Sequence, residues 1–110
     1  MMKLGLSPAA AGLLRALIAR TGIDRDRILL SAYRSIDWHS LTFNGERHEM
    51  ELRIPGPDAE AIATRLAHGL EDAEFSIAGQ IVADIGLQQP PSSNEDGSVA
   101  LFIEALTIAE

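Results

Sequence analysis

Two hydrophobic periods alternate along this chain. From Ser7 to Gly22 the apolar residues Ala10, Leu13, Leu14, Leu17 and Ile18 stand at i, i+3, i+4, i+7 and i+8. That spacing gives a helix one buried stripe and leaves Arg15 and Arg20 to solvent. Both ends carry stop signals. Ser7 can accept free amide hydrogens as N-cap, Pro8 suits the first turn, and Gly22 can adopt the left-handed C-cap conformation. The period then drops to two: Ile28, Leu30, Ala32, Arg34, Ile36 and Trp38 share one side of a strand, with more polar residues between them.

A second strand follows from about Glu46 to Ile54, after Phe43-Asn44-Gly45. A two-residue Asn44-Gly45 turn sets Leu52 opposite Asp37 and Met50 opposite His39, mixing apolar and charged groups. A three-residue loop with Gly45 left-handed sets Trp38 opposite Met50 and Ile36 opposite Leu52. A one-residue slip flips a whole strand, so the register that keeps the apolar set together is expected.

Pro55-Gly56-Pro57 breaks the ladder and opens a second helix, with Ala59, Ile62, Ala63, Leu66 and Leu70 as its stripe and Gly69 closing it. Two further strands are expected at about Glu74 to Gln88 and Ser98 to Ile108. Between them lies the polar, proline-bearing segment 89–97, where local disorder is expected.

The order αββαββ repeats itself. Pro8 aligns with Pro57, Gly22 with Gly69, Ile23 with Leu70, Ile28 with Phe75, Leu30 with Ile77, and Asp37 with Asp84. The expected fold is one α+β domain over residues 1–110, an internal duplication of about 7–54 and 56–108. It forms a two-layer sandwich with a four-stranded antiparallel sheet and both helices on one face. This is a circularly permuted ferredoxin-like pattern, with the last strand between the second and third in space. The pattern implies no activity.

With helices on one face, the other face of the sheet is open. In the first hairpin it is expected to carry Ser35, Asp37, His39, Arg47, Glu49, Glu51 and Arg53, as a solvated sheet should. In the second it is expected to carry Ala78, Val82, Phe102, Leu106 and Ile108. A soluble monomer rarely leaves such a patch bare, so a homodimer packed sheet against sheet or edge to edge is expected, with Ala78, Val82, Phe102 and Leu106 at its interface.

Composition narrows the functional classes. The 110 residues are 46% hydrophobic, enough for one core, and carry a net charge of −7, which repels phosphate backbones and anionic lipid. Neither nucleic acid nor membrane is an expected partner. Without cysteine there is no disulfide framework, thiolate metal site or cysteine nucleophile. The apolar stretch from Leu4 to Ala19 is interrupted by Pro8, Gly12 and Arg15, has no signal-cleavage segment after it, and is too short to span a bilayer. A soluble, cytoplasmic protein is expected.

Phosphate-binding loops, dinucleotide turns, nucleophile elbows and zinc-protease helices are all missing from the sequence. No cofactor is called for. In the expected register His39 faces Glu49 and Asp37 faces Glu51, a carboxylate and imidazole set that could bind a divalent metal or perform acid–base chemistry, with Asp84 and Glu104 as repeat mates. Solvated strand faces carry such charges routinely, so the set carries less weight than the interface. Asp37, His39 and Ser40 cannot form a triad, since His39 points away from Ser40 on a strand. His48 is expected inward beside Ser40, His68 in the last turn of the second helix, and Trp38 in the core beneath the first helix. Arg34 is expected on a nominally buried position, reaching water at the sheet edge or pairing with an acid such as Glu60, ahead of marking a ligand pocket between helix and sheet. The primary reading is an interaction or ligand-binding module acting as a homodimer. The alternatives are an enzyme using Asp37, His39, Glu49 and Glu51, and an acidic inhibitor or immunity-type protein that captures a basic partner.

Overall fold

A computed structural model describes residues 5–110. The N-cap of α1 (Pro8–Thr21) forms as its sequence dictates: Ser7 Oγ accepts the Ala10 amide at 3.1 Å, and Gly22 ends the helix in the left-handed region. Leu4, where the predicted apolar stretch begins, lies outside the described residues. The chain continues through β1 (Leu29–His39), β2 (Asn44–Ile54), α2 (Ala59–Ala67), β3 (Gln80–Leu87), the two-residue β4 (Ser92–Ser93) and β5 (Val99–Ala109). The fold is α+β, with two helices and a five-stranded antiparallel sheet. Its strand order is β1-β2-β5-β3, with β4 paired to β5, so the last strand sits between the second and third as the sequence predicts.

One cluster forms the core. Leu13 and Leu17 of α1 and Ile62 and Leu66 of α2 meet Met50, Leu52 and Ile54 of β2 and Leu101, Ile103 and Ala105 of β5. These strand residues alternate along their strands, so both helices cover the same sheet face. Helix α1 also packs tightly on the segment before β3. A Cβ on Gly12 would lie 2.6 Å from Ile77 Cγ2. Phe75 and Ile77 pack on the core without joining the sheet, which is why their alternation reads as strand although β3 begins only at Gln80.

The hairpin register differs from the expected one. Tyr33 faces Met50, Ser35 faces His48 and Trp38 faces Gly45, and the connection is Ser40 to Phe43. Ser40 builds that turn: its Oγ accepts the Phe43 amide at 2.9 Å, and its own amide donates to the Phe43 carbonyl at 2.9 Å. Asn44 and Gly45 are the first residues of β2. A Cβ on Gly45 would overlap the Thr107 carbonyl oxygen and lie 3.1 Å from the Thr107 carbonyl carbon, so this glycine serves close approach to β5 and not a turn.

Two β-bulges overturn further expectations. The first, between Leu30 and Ala32, keeps Leu30 inward and sends Arg34, Ile36 and Trp38 outward. An extra residue in one strand inverts every side chain beyond it. Trp38 is therefore on the open face instead of beneath α1, and Arg34 is exposed beside Glu49, away from Glu60. The second bulge, between Val82 and Asp84, turns Val82 inward against the core while Asp84 stays on the open face.

Segment 89–97 is tied down instead of disordered. Asp96 Oδ1 accepts from the Ser98 amide at 2.9 Å and from its hydroxyl at 2.6 Å, while Asn94 Nδ2 and Arg53 Nε donate to Ser98 Oγ at 2.9 and 3.2 Å. The Ser98 hydroxyl first, then the Ser98 amide and the Arg53 guanidinium, hold the Asp96 carboxyl below its ordinary pKa. Ser98 is buried, so Ser98→Ala should cost about 1–2 kcal/mol in urea unfolding and open residues 89–98 to protease. An unchanged cleavage pattern would show that Ser98 does not hold the loop.

Candidate functional site

The open sheet face is built in rows across the strands. Trp38, Gly45, Ile108 and Ile81 form the row nearest the first hairpin turn, followed by Ile36, Arg47, Leu106 and Asp84. Next come Arg34, Glu49, Glu104 and Gly86, then Ala32, Glu51 and Phe102, whose carbonyl accepts the Gln88 amide. The face is therefore split into an apolar end and a charged middle. Ile36 (46% exposed), Ile81 (53%) and Phe43 (52%) belong to the apolar end, and Leu41 projects fully at the turn beside it.

In the charged middle, Arg34 lies 3.7 Å from Glu49, and Gln88 Nε2 donates to the same carboxylate at 3.3 Å. Ser31 Oγ donates to Glu51 at 3.0 Å. A shallow hollow of about 210 Å³ lies over Ala32, Arg34, Glu49, Glu51, Gln88 and Phe102. Its exposed ion pair is screened by solvent and adds little to stability.

The sequence-predicted polar set is not assembled. Asp37 pairs with Glu46, and His39 Nδ1 bonds Asn44 Oδ1 at 2.8 Å, both on the opposite side of the hairpin from Glu49 and Glu51. The true register and the first bulge together separate the four. Among the described residues no three acidic or histidine side chains gather as metal ligands. Of the predicted interface, Phe102 and Leu106 stand on the open face as expected. Ala78 instead occupies the exposed turn between Ile77 and Gln80, and Val82 faces the core.

A second polar group lies inside. His48 is fully buried, with Nδ1 2.7 Å from Ser35 Oγ and Nε2 2.8 Å from the buried Thr107 Oγ1. Glu46 Oε1 sits 3.9 Å from Nδ1 and accepts from Ser7 Oγ at 2.6 Å, linking the group to the start of α1. Burial lowers the His48 pKa, against the opposing pull of Glu46. The neutral ring donates from one nitrogen and accepts at the other, so both hydroxyls find a complementary role. Glu46, the carboxylate beside the ring, lies on the Ser35 side, and Thr107 is fully buried, so the group ties β1, β2 and β5 together through one imidazole. Sequence parity places His48 inward but beside Ser40. Its actual partners depend on the bulge, which puts Ser35 inward, and on a strand from the other half of the chain.

Comparison with known protein families, curated proteins and solved structures finds no match to this chain. Among the described residues no helix is long and apolar enough to cross a membrane.

Proposed function

We propose that this protein is a small interaction module that works as a homodimer, built on a duplicated αββ unit in the permuted ferredoxin-like arrangement. The observation that carries the reading is the apolar end of the open face, where the exposed Ile36 and Ile81 and the half-buried Trp38 and Ile108 lie around the buried Leu106, on the side away from both helices, with Phe43 and Leu41 beside them. Contiguous apolar surface of this kind is typical of interaction sites, and a second copy of the chain is the commonest cover. A partner burying Trp38 and Ile36 would gain at roughly 25 cal/mol per Å² of apolar area removed from water.

Light scattering should give twice the 11.8 kDa chain mass at micromolar concentration. A single-chain mass persisting to millimolar concentration would end the homodimer reading. The metal or acid–base alternative has no assembled cluster behind it among the described residues, and the acidic-inhibitor alternative rests on net charge alone.

A further inference from the structure

We propose that two copies join along β1, antiparallel and edge to edge, into one continuous sheet with Ile36 at the twofold axis. This rests on the homodimer reading; it brings Ile36 and Trp38 of the apolar end to the joint and leaves Leu106, Ile108 and Ile81, which lie on β5 and β3, outside it. The sheet has two edges, β1 on one side and β3 with the short β4 on the other, and they are not equivalent. The start of β3 is folded back on itself, with Ile77 bridged to Gln80 through the left-handed Gly79, and its middle is broken by the bulge at Ala83. Strand β1 has its bulge near the start, and from Ala32 to His39 it is regular, with neither proline nor lysine. Its edge guards are the bulge at its start and the charges of Arg34 and the inward-facing Asp37, none of which interrupts the backbone row from Ala32 to His39.

The turn fixes which backbone groups are free. The Ser40 amide bonds the Phe43 carbonyl at 2.9 Å, so Ser40 and Phe43 form a bonded pair, and bonded pairs alternate along an antiparallel ladder. Trp38, Ile36 and Arg34 therefore direct their amides and carbonyls to β2. Tyr33, Ser35, Asp37 and His39 direct theirs outward, a row of unmatched donors and acceptors along the edge.

Charge then selects the register. A twofold axis at Asp37 places Asp37 against its copy, and one at Arg34 does the same with arginine, so both set like charges opposite one another. Axes nearer either end run into the bulge or the turn and shorten the ladder. An axis at Ser35 sets Arg34 against Ile36 and Ala32 against Trp38. An axis at Ile36 makes that residue a closely spaced non-bonded pair with its copy and sets Arg34 opposite Trp38 on both flanks, where guanidinium can stack on indole. It also pairs Ser35 with Asp37 and Tyr33 with His39, so all four outward-directed residues gain ladder bonds. The Ile36 axis therefore satisfies the most groups.

The chain has no cysteine, so a single introduced thiol reports the geometry. Under mild oxidation Ile36→Cys should crosslink nearly all of the protein as a dimer, because non-bonded pairs bring the two side chains within disulfide reach. Ile81→Cys on the other outer strand should not. Asp37→Pro removes one outward amide without touching the β1–β2 ladder, so its circular dichroism should match the wild type while dimer dissociation rises by about tenfold or more. If the wild type is a dimer but Asp37→Pro stays dimeric and Ile36→Cys does not crosslink, the edge proposal fails and the dimer uses another surface. Crosslinking through Ile81→Cys would overturn it in the same way. A monomeric wild type would remove both this proposal and the reading beneath it.

Discussion

Gly45→Ala should lower the stability of this protein by about 3 kcal/mol or more, with a fall in Tm on the order of 15 °C. In an ordinary strand the same change would be mildly favourable, because alanine loses less chain entropy on folding. Here the added methyl would meet the carbonyl of Thr107 and lie 3.2 Å from Ile108 Cα, all backbone of the neighbouring central strand. Relief requires β5 to move, and β5 is bonded to β2 on one side and β3 on the other. Gly86→Ala is the matched control. Its methyl would meet the Glu71 side chain first, at 3.3 Å from the carboxylate, and that chain can swing away. Thermal melting of the two variants decides the matter: equal Tm values would mean that Gly45 does not sit against Thr107.

His48→Ala should cost about 3–4 kcal/mol in urea unfolding, combining a cavity in the core with two hydroxyls stripped of their partner. His48→Leu refills much of the volume but still orphans the buried Thr107 hydroxyl, so its cost should be smaller, about 1–2 kcal/mol. Adding Thr107→Val to His48→Leu should recover part of that loss, and strict additivity of the two would show that the imidazole–hydroxyl bond is not formed. The same residue predicts a pH dependence. Because burial lowers the folded-state pKa below 6.5, the unfolded chain takes up a proton first. Stability is complete above pH 6.5 and falls as pH drops below it, by at most about 1.4 kcal/mol per unit, until the folded state also protonates. Asp58, held down by the Arg27 hydrogen bond, and Asp96 lose their contributions only at more acidic pH, below their ordinary value of 3.8. The slope just below pH 6.5 should therefore vanish in His48→Leu, and a slope that survives there belongs to another group.

Stripes and caps made much of this fold legible. Ser7, Pro8 and Gly22 delimit α1 through bonds made within a turn or two, and the helical spacing of Ala59, Ile62, Ala63 and Leu66 marks the buried side of α2. The inward parity of β2 and β5 also follows from alternation, so Phe102 and Leu106 are found on the open face as read. The first hairpin departs from the expected register because Phe43-Asn44-Gly45 resembles a loop, while the turn is built by the Ser40 hydroxyl. The glycine answers instead to Thr107, far along the chain. Predicted positions before the first bulge hold and those after it invert, which moved Trp38, Ile36 and Arg34 to the surface and dispersed the Asp37, His39, Glu49 and Glu51 set.

The sequence by itself determined the helices, the number and order of the main strands, and which side of each central strand is apolar, because those features arise from residues a few positions apart. Tertiary structure alone decided the register of the first hairpin, the two bulges, and hence the residues that share the open face or meet around His48. A bulge or a register is a compromise between neighbouring strands, and its energy depends on side chains that become neighbours only when the sheet has formed.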